Sequence, residues 1–353
     1  MILAHLFPGP LDVVGDVHGE IDALDALVRH LGYDGAARHP AGRHLVFVGD
    51  LCDRGPDSPA VLDRVQPWVE SGAAQCVLGN HELNVLLGAP KHGNGWFFDR
   101  NHDVHSGEFL ASAAATAERR EAWRPFLERL PLALTRPDLR VVHACWDPVA
   151  VATLRSAHEY PSHAGAHEHY RAQAKQLLQG SGVEARAAHE LQPWRHVLSN
   201  PHAAIPYLPA CAEVATTHQN ANPVKVLTSG IEERAGRPAW AGGQWRMTNR
   251  ARWWESYRDA PTVLVGHYWR RDGRAWPVEV TEDWDYPLAG YGPYEWMGPR
   301  HNVYCLDYSV GGRFKERKRG GGGPFECRLA ALRWPERELV FDDGERIATR
   351  IAA

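Results

Sequence analysis

The sequence predicts an α/β protein with parallel strands, and three observations lead to this fold class. Five short hydrophobic runs, rich in β-branched residues, each stop abruptly at glycine or a polar residue, as strands buried on both faces do. Segments with helical periodicity follow the first three runs, and such a strand–helix order favours parallel strands joined by right-handed crossovers. Residues able to bind a metal end all five runs, at the position where open α/β sheets place their active sites.

The five runs, with the residues that end them, are LDVVGDVHG (11–19), HLVFVGDLCDRG (44–55), QCVLGNHE (75–82), LRVVHACWD (139–147) and TVLVGHYW (262–269). Helices are expected at Glu20–Leu31, 57–70 and 81–88, since apolar residues recur there at helical spacing. These strands and helices predict one α/β core that carries a polar site at its strand ends.

Two longer segments interrupt this core. Residues 90–130 form an insertion between the third and fourth runs, with a helical stretch at 107–130. Residues 148–222 contain mostly helical patterns and no recognisable motif. We expect 148–222 to be a helical insertion or cap within a single domain that spans residues 1–353.

The C-terminal part begins with an aromatic, Pro/Gly-rich loop at 283–298. Three strand-like segments follow at 302–309, 326–334 and 337–341, and their alternation and short turns predict an antiparallel meander in a second sheet. The basic segment RFKERKRGGGG (313–323) is expected to be a mobile hairpin loop.

The composition limits the function classes. A formal net charge of −4 over 353 residues argues against general nucleic-acid or membrane-surface binding, and no apolar stretch is long enough to span a bilayer. Six scattered cysteines without CxxC pairs, and an N-terminus without signal-peptide character, predict a cytoplasmic protein.

The candidate metal ligands combine carboxylate, amide and imidazole donors. Asp16 and His18 are two positions apart, so both can point the same way from one strand end, and the two oxygens of Asp50 could bridge two ions. Nitrogen and oxygen donors without thiolate suit Mn²⁺, Fe or Zn²⁺. The complete set is Asp16, His18, Asp50, Asn80, His143 and His267.

The motifs GDVHG (15–19), GDLCDRG (49–55) and GNHE (79–82), followed by later strand-end histidines, resemble those of the calcineurin-like metallophosphoesterases, and more narrowly of the PPP-type phosphatases. The resemblance covers residues 11–147 and 262–342. It implies a four-layer α/β/β/α sandwich with two divalent metal ions about 3–4 Å apart. Mn²⁺ is the expected metal, with Fe or Zn²⁺ as alternatives.

The resemblance also implies an allocation of ligands. Asp16, His18 and Asp50 would hold one ion, while Asp50 would share the second with a set of later residues. That set is Asn80, His143 and His267.

Three further residues of the matched motifs receive catalytic roles. Arg54 would bind phosphate through its planar fork, and His81 would protonate the leaving group. Asp53 would accept the other ring proton of His81. Additional phosphate-binding candidates are Arg250, Arg252 and Tyr308.

The chain departs from the eukaryotic protein phosphatases at HACW (143–146), where they have HGG. It also departs from their substrate-loop pattern at CLDYSVGG (305–312). LDYSVGGRF (306–314) with RLAALRWPE (328–336), and HPAGRHLVFVGDLCDRGP (39–56), resemble bacterial PPP-like enzymes instead, among them dinucleoside tetraphosphate hydrolases. Trp146 and Trp269, which closely follow ligand histidines, would either stack a nucleobase or pack the pocket mouth.

The expected function is that of a metal-dependent phosphoester hydrolase, a PPP-like phosphatase acting on phosphoproteins or small phosphomonoesters by in-line attack of a metal-bridging hydroxide. The alternative is a bis(5'-nucleosyl)-tetraphosphatase-like hydrolase of nucleotide polyphosphates. A second alternative is an inactive metal-binding regulator. The expected partner is a phosphorylated substrate, with neither stable nucleic-acid binding nor membrane association.

Overall fold

The computed structural model describes residues 2–91, 93–98, 112–156, 160, 162–241, 243–272, 286–320 and 324–351. Parts of four expected segments lie outside these ranges, namely residues 92 and 99–111 of the first insertion, 157–159 and 161 of the helical insertion, 283–285 of the aromatic loop and 321–323 of the glycine run.

The strands of the described residues, in chain order, are β1 (Leu3–His5), β2 (Leu11–Val14), β3 (His44–Phe47), β4 (Ala74–Cys76), β5 (Ala133–Thr135), β6 (Leu139–Val142), β7 (Glu232–Ala241), β8 (Gln244–Arg250), β9 (Thr262–Val265), β10 (Val303–Cys305), β11 (Ala330–Trp334), β12 (Glu338–Phe341) and β13 (Arg346–Ala348).

The helices of the same residues are α1 (Ile21–Leu31), α2 (Ser58–Glu70), α3 (Asn80–Leu86), α4 (Gly95–Phe98), α5 (Ala117–Arg129), α6 (Pro148–Ser156), α7 (His163–Leu178), α8 (Val183–Leu191), α9 (Pro209–Asn220), α10 (Pro223–Ser229) and α11 (Arg313–Lys318). Short 3₁₀ helices cover Gln192–Val197, Trp253–Glu255 and Val310–Gly312.

Two sheets form the centre of the fold. The first has the strand order β13-β12-β11-β2-β3-β4, and the second has the order β1-β5-β6-β9-β10. Strands β2, β3 and β4 are parallel to one another, and β6 is parallel to β9, as the strand–helix order predicts. The ligand-bearing strands are therefore divided, with three in the first sheet and two in the second.

The ligand-bearing strands are hydrophobic throughout because both of their faces are buried. In β2, Leu11 and Val13 belong to a cluster that also contains Leu264 of β9, so these side chains fill the space between the sheets. Val14 lies on the other face of β2, where it packs in a second cluster that also contains Leu24 of α1. All five side chains are fully buried, and each such burial stabilises the fold by roughly 1.5–3 kcal/mol.

Helices cover the outer faces of both sheets. Buried residues of α1 and α2, such as Leu27 and Val65, pack in the cluster that contains Phe47 of β3. Buried residues of α6 and α10 join the part of this cluster that contains Val263 and Val265 of β9. The layers are therefore helix, sheet, sheet and helix, which confirms the expected four-layer α/β/β/α sandwich.

The expectation of one antiparallel meander over the last three strand signals is wrong. β10 is parallel to β9 in the second sheet, whereas β11 pairs antiparallel with β2 and β12 in the first sheet. Only β11, β12 and β13 form a meander. A local pattern identifies a strand, but its partner is chosen by contacts with residues far away in the chain, such as Leu11 opposite Trp334.

The expectation of a loop over residues 313–323 is wrong for the first part of this segment, because Arg313–Lys318 form helix α11. Arg313 is buried, donates a hydrogen bond to the Cys327 carbonyl and pairs with Asp342 at 2.6 Å. Arg317 pairs with the buried carboxylate of Glu20. These arginines therefore anchor the helix to the core.

Residues 148–222 carry helices α6 to α9, and the hairpin β7–β8 follows them. Helix α9 packs against α7, α8 and both strands of the hairpin. We propose that this segment and hairpin form a cap within a single domain. Among the described residues, no helix combines the length and the apolar character that a membrane span requires.

Candidate metal centre and active site

All six expected ligands follow strand ends and meet where the carboxyl ends of the two sheets adjoin. Asp16 and His18 follow β2, Asp50 follows β3, and Asn80 begins α3 just after β4. From the second sheet, His143 follows β6 and His267 follows β9.

Asp50 lies at the centre of this group. Its Oδ2 atom is 3.2 Å from Nε2 of His143 and 3.8 Å from Nε2 of both His18 and His81. The described residues contain two sets of three donor side chains whose ligand atoms lie within 4.8 Å of one another, and Asp50 belongs to both. His18 and His81 complete the first set, and His143 and His267 complete the second.

Asp16 and Asn80 each lie next to other predicted ligands. Oδ2 of Asp16 lies 3.8 Å from Nε2 of His18, and the carboxylate accepts the backbone N–H of His267 at 3.1 Å. Oδ1 of Asn80 lies 3.1 Å from Nε2 of His143. Each predicted ligand is therefore beside another one.

Backbone carbonyls of the second motif orient two of the histidines. Nδ1 of His18 lies 3.0 Å from the carbonyl oxygen of Cys52, and Nδ1 of His143 lies 2.8 Å from that of Val48. Since a carbonyl only accepts, each Nδ1 must carry a proton, and in the neutral imidazole the lone pair is then on Nε2, the atom that faces Asp50. Nε2 of His267 is buried and has no hydrogen-bond partner among the described residues.

The charge environment fits divalent cations. Burial lowers the pKa of His18 and of His267 well below the usual range, so both are neutral, as metal ligands must be. Burial raises the pKa of Asp16 well above its usual range, with Asp307 and Asp50 adding to the effect. Burial alone would lower the pKa of His143, but Asp50 raises it to about 10. Asp50 thus attracts positive charge to its side, and His18 and His267 present neutral imidazoles, as a cation site requires.

The glycines before two ligands leave room for carboxylates. A Cβ atom on Gly266 would lie 1.9 Å from Oδ1 of Asp16, and one on Gly79 would lie 2.2 Å from Oδ1 of Asp50. No side chain fits at such distances, so the Gly-His and Gly-Asn pairs of the motifs have a steric cause.

Backbone strain is concentrated at this site. Several of its residues other than glycine have left-handed φ angles, a conformation that persists only where surrounding contacts enforce it. These residues are His18 (φ 49°), Asp50 (49°), Asp53 (73°), Arg54 (71°), His267 (70°) and Trp269 (53°).

His81 and Asp53 form a tight hydrogen-bonded pair. Nδ1 of His81 lies 2.6 Å from Oδ2 of Asp53, and the other oxygen of Asp53 accepts the indole N–H of Trp96 at 2.6 Å. The chain of contacts fixes the imidazole, with Nε2 facing the centre. Because His81 also belongs to the first set of three donors, its geometry permits either a ligand or an acid role.

Arg54 reaches the same place. Its two terminal nitrogens lie 3.1 Å from Nε2 of His18 and 3.2 Å from Nε2 of His81. The guanidinium is therefore directly beside the metal-ligand group, where a bound phosphate would meet it.

The three additional phosphate-binding candidates are placed differently. Arg250 lies next to the centre and donates a hydrogen bond to the carbonyl of His267 at 2.9 Å. Arg252 contacts Glu255 and the Tyr286 carbonyl, both at 3.4 Å.

Tyr308 is not at the rim of the site, which corrects the expectation. Its side chain is buried between the sheets, where its hydroxyl contacts that of Tyr304 at 2.8 Å and donates to the Pro293 carbonyl at 2.7 Å. As the third residue after a strand, Tyr308 continues the inward-facing alternation of β10 through Tyr304 and Leu306.

Two further residues, Glu82 and Trp96, support the site through contacts that could not be predicted from the sequence. Glu82 is fully buried and accepts the backbone N–H groups of Asp50, Leu51, Cys52 and Gly79. It thereby shapes the loop that carries Asp50. Trp96 lies in the first insertion, and no local pattern distinguished it from the other 13 tryptophans.

Residues 9–171 match the calcineurin-like phosphoesterase family. The asymmetrical bis(5'-nucleosyl)-tetraphosphatase PrpE of Halalkalibacterium halodurans is 49% identical over 73 residues, which are 20% of this chain and 30% of that protein. The protein of the same name from Bacillus velezensis is 37% identical over 141 residues, which are 38% of this chain and 55% of that protein. The chain therefore spans between about a third and about half of the length of these relatives.

Among solved structures, the cold-active protein-tyrosine phosphatase of a psychrophilic Shewanella species is similar over 99% of this chain and 82% of its own. Sequence identity is 15% and the TM-score is 0.48, and we draw no functional conclusion from this similarity.

Proposed function

Because residues 9–171 belong to the calcineurin-like phosphoesterase family, we propose that this protein is a metal-dependent phosphoester hydrolase. One observation carries the proposal. The guanidinium of Arg54 and the Asp53-supported imidazole of His81 lie 3.2 Å apart beside the ligand group around Asp50. Arg54 would thus bind phosphate, and His81 would donate a proton, beside the same group of candidate metal ligands, as phosphoester cleavage requires.

We propose that the six predicted ligands hold two divalent cations, with Asp50 shared between them. When bound, such ions supply Lewis acidity to the phosphoryl oxygens and to the attacking water. The donors are nitrogen and oxygen, since the thiol of Cys52 points to Glu82 at 3.2 Å instead of the centre. This donor set supports Mn²⁺, with Fe or Zn²⁺ as alternatives.

The chain's own residues would act around the phosphoryl group. Arg54 would bind its equatorial oxygens with a bidentate fork. Asp53 accepts the Nδ1 proton of His81, so the proton that His81 gives to the leaving oxygen would be carried at Nε2. Asp53 is fully buried and has a left-handed backbone conformation, so its position is fixed and little reorganisation would accompany the transfer.

We propose a nucleotide polyphosphate as the substrate. The curated relatives above are named for hydrolysis of bis(5'-nucleosyl) tetraphosphates, which favours the nucleotide alternative. The expectation of a phosphoprotein or phosphomonoester substrate is not confirmed.

The six cysteines are unpaired, which supports a reducing compartment such as the cytoplasm.

The test compares substrates on the Mn²⁺-loaded protein. Diadenosine tetraphosphate, a phosphopeptide and p-nitrophenyl phosphate are incubated in parallel, and nucleotide products are separated by chromatography. We expect turnover of diadenosine tetraphosphate to exceed that of the other two in kcat/KM. The products, ATP with AMP or two molecules of ADP, identify the bond that is cleaved.

Other outcomes would contradict this proposal in distinct ways. Preferential turnover of the phosphopeptide would restore the protein phosphatase interpretation. Bound metal without turnover of any phosphoester would indicate an inactive metal-binding regulator. Asp50→Asn serves as the control, because activity in that variant equal to that of the wild-type protein would come from a contaminant.

A further inference from the structure

The phosphate-binding candidate Arg54 rests on an aromatic side chain. Its guanidinium carbon lies 4.7 Å from the centre of the Trp269 ring, within the range of a cation–π contact. Trp269 is half-buried and follows the ligand His267 by two residues. A guanidinium placed on an indole face loses rotational freedom, so its donors remain aimed in one direction.

Trp269 itself is held by two neighbouring side chains. Its φ angle of 53° is unfavourable for a bulky residue and needs external support. Its backbone N–H donates to Oδ2 of Asp307 at 2.9 Å, and its carbonyl accepts the hydroxyl of Tyr286 at 3.3 Å. Both backbone polar groups of this strained residue are therefore fixed.

Asp307 joins the turn after β9 to the turn after β10. Its carboxylate is buried, and Oδ1 accepts the backbone N–H of Ser309 at 2.8 Å. Its carbonyl accepts the N–H of Arg270 at 2.6 Å. Removing the carboxylate would leave two backbone donors without their acceptor and free both turns.

The second of these turns also reaches Arg54. A Cβ atom on Gly311 would lie 2.6 Å from Cδ2 of His18 and 3.2 Å from Cδ of Arg54. The segment that Asp307 anchors therefore packs against the stem of Arg54, while the indole contacts its guanidinium. Arg54 is thus braced at two points by one connected unit, and this gives the CLDYSVGG motif a physical role.

We infer that Trp269 and Asp307 are positioning residues, which preorganise the Arg54 guanidinium for binding a phosphoryl group. The inference rests on the proposed function, in which Arg54 binds phosphate. Neither residue needs to touch the reacting atoms. Their contribution is to remove, before binding, the side-chain freedom that an unsupported arginine would lose on binding.

The test measures phosphate affinity separately from turnover. Inorganic phosphate is titrated calorimetrically into Mn²⁺-loaded wild-type protein and into Trp269→Leu, with bound metal quantified in both. We expect phosphate affinity to fall roughly 3- to 30-fold, the range of a partly desolvated cation–π contact, with unchanged metal content. Trp269→Phe, which keeps an aromatic face, should recover most of the affinity.

Trp146→Leu is the matched control. Trp146 also closely follows a ligand histidine, but its ring carries Arg140 at 4.3 Å instead of Arg54. Phosphate affinity should be unchanged in this variant. Asp307→Asn provides a second variant, which retains one acceptor oxygen and should show a smaller loss than Trp269→Leu.

A double-mutant cycle decides whether the effect passes through Arg54. In an Arg54→Ala background, Trp269→Leu should cause no further loss of phosphate affinity. Full additivity of the two losses, or unchanged affinity in Trp269→Leu alone, would overturn the inference. If the wild-type protein binds phosphate through Arg54 but hydrolyses no phosphoester, the proposed function fails while these titrations still decide the positioning role.

Discussion

At the scale of single residues, the histidines of the candidate site differ in the groups that their Nδ1 atoms contact. His18, His81 and His143 are chemically identical and all approach Asp50 through Nε2. The Nδ1 partner differs, since two of them meet a backbone carbonyl and His81 meets the carboxylate of Asp53. The carboxylate of Asp53 fixes the tautomer and the orientation of the His81 ring, so that Nε2 faces the centre, as proton donation from that atom requires.

Replacing His81 tests this division of roles. His81→Ala should lower kcat by roughly 10²- to 10⁴-fold, the usual contribution of general acid–base catalysis, while both metals remain bound. The loss should be largest for substrates with poor leaving groups, which need protonation most. An equal loss for all leaving groups, or loss of a metal ion on elemental analysis, would favour a ligand role instead. His169→Ala, at an exposed position of α7, is the control.

Asp50 provides the second prediction at this scale. Asp50→Asn should reduce bound metal to less than two ions per chain, because one side chain serves both sets of donors. Elemental analysis of the purified variant measures this directly. Two ions at full occupancy would contradict the shared role. Asp63→Asn, which alters a half-exposed carboxylate paired with Arg119, should leave metal content unchanged.

Residues of the candidate site could be predicted from the sequence where a motif fixes their spacing. Residues whose contacts depend on the tertiary fold could not. Asp16, Asp50 and His267 were accessible because each ends a hydrophobic run next to glycine. Trp96 was not, because its contact with Asp53 spans 43 residues and leaves no periodic signal. Tyr308 was misplaced since its position after a strand resembles that of the ligands.

At the scale of elements, the recurring unit is a short strand, a glycine and a polar residue. The glycine is required where the next turn brings a carboxylate against the backbone, as at Gly266. These units could be located from the sequence because the hydrophobic run and the glycine are contiguous. The partners of β10 and β11 could not, because strand pairing depends on distant segments and the same local pattern fits either sheet.

Gly266→Ala tests the steric requirement of this unit. The added methyl group would lie 1.9 Å from Oδ1 of Asp16, so the strand end or the carboxylate must move. We expect a loss of roughly 1–3 kcal/mol in the free energy of unfolding, as for other overpacked sites, together with weaker metal binding. Chemical denaturation and elemental analysis measure the two effects.

Gly236→Ala is the matched control for this substitution. A Cβ atom there meets nothing within 4 Å, and its effect should stay within about 0.5 kcal/mol. Equal stability and metal content in both variants would show that the glycine before His267 has no steric role.

At the scale of the whole molecule, the candidate metal ligands come from both sheets. Asp50 comes from the first sheet and His143 and His267 from the second, and His143 contacts the Val48 carbonyl across the gap. The four-layer arrangement itself followed from a resemblance to known motifs. Hydrophobic periodicity alone indicates parallel strands but does not state how many sheets they form.

Removing the metal should therefore lower global stability. When its free concentration is about 100 times its dissociation constant, an ion that binds only the folded protein stabilises the native state by roughly 2.7 kcal/mol. We expect chelation to lower the Tm of the wild-type protein by about 5 °C. The same treatment of Asp50→Asn should change its Tm less, and equal shifts in both proteins would contradict a stabilising role for the centre.

The order of the ligands along the chain has a further consequence. Helix α6 begins five residues after His143, and β8 ends at Arg250, which contacts the His267 carbonyl. The chain segment between His143 and His267 thus begins and ends beside the candidate site. Both histidines are held in place by the strands of the second sheet that precede them. Under the proposed function, changes within that segment would alter recognition of the group attached to the phosphate and would leave the candidate metal ligands in place.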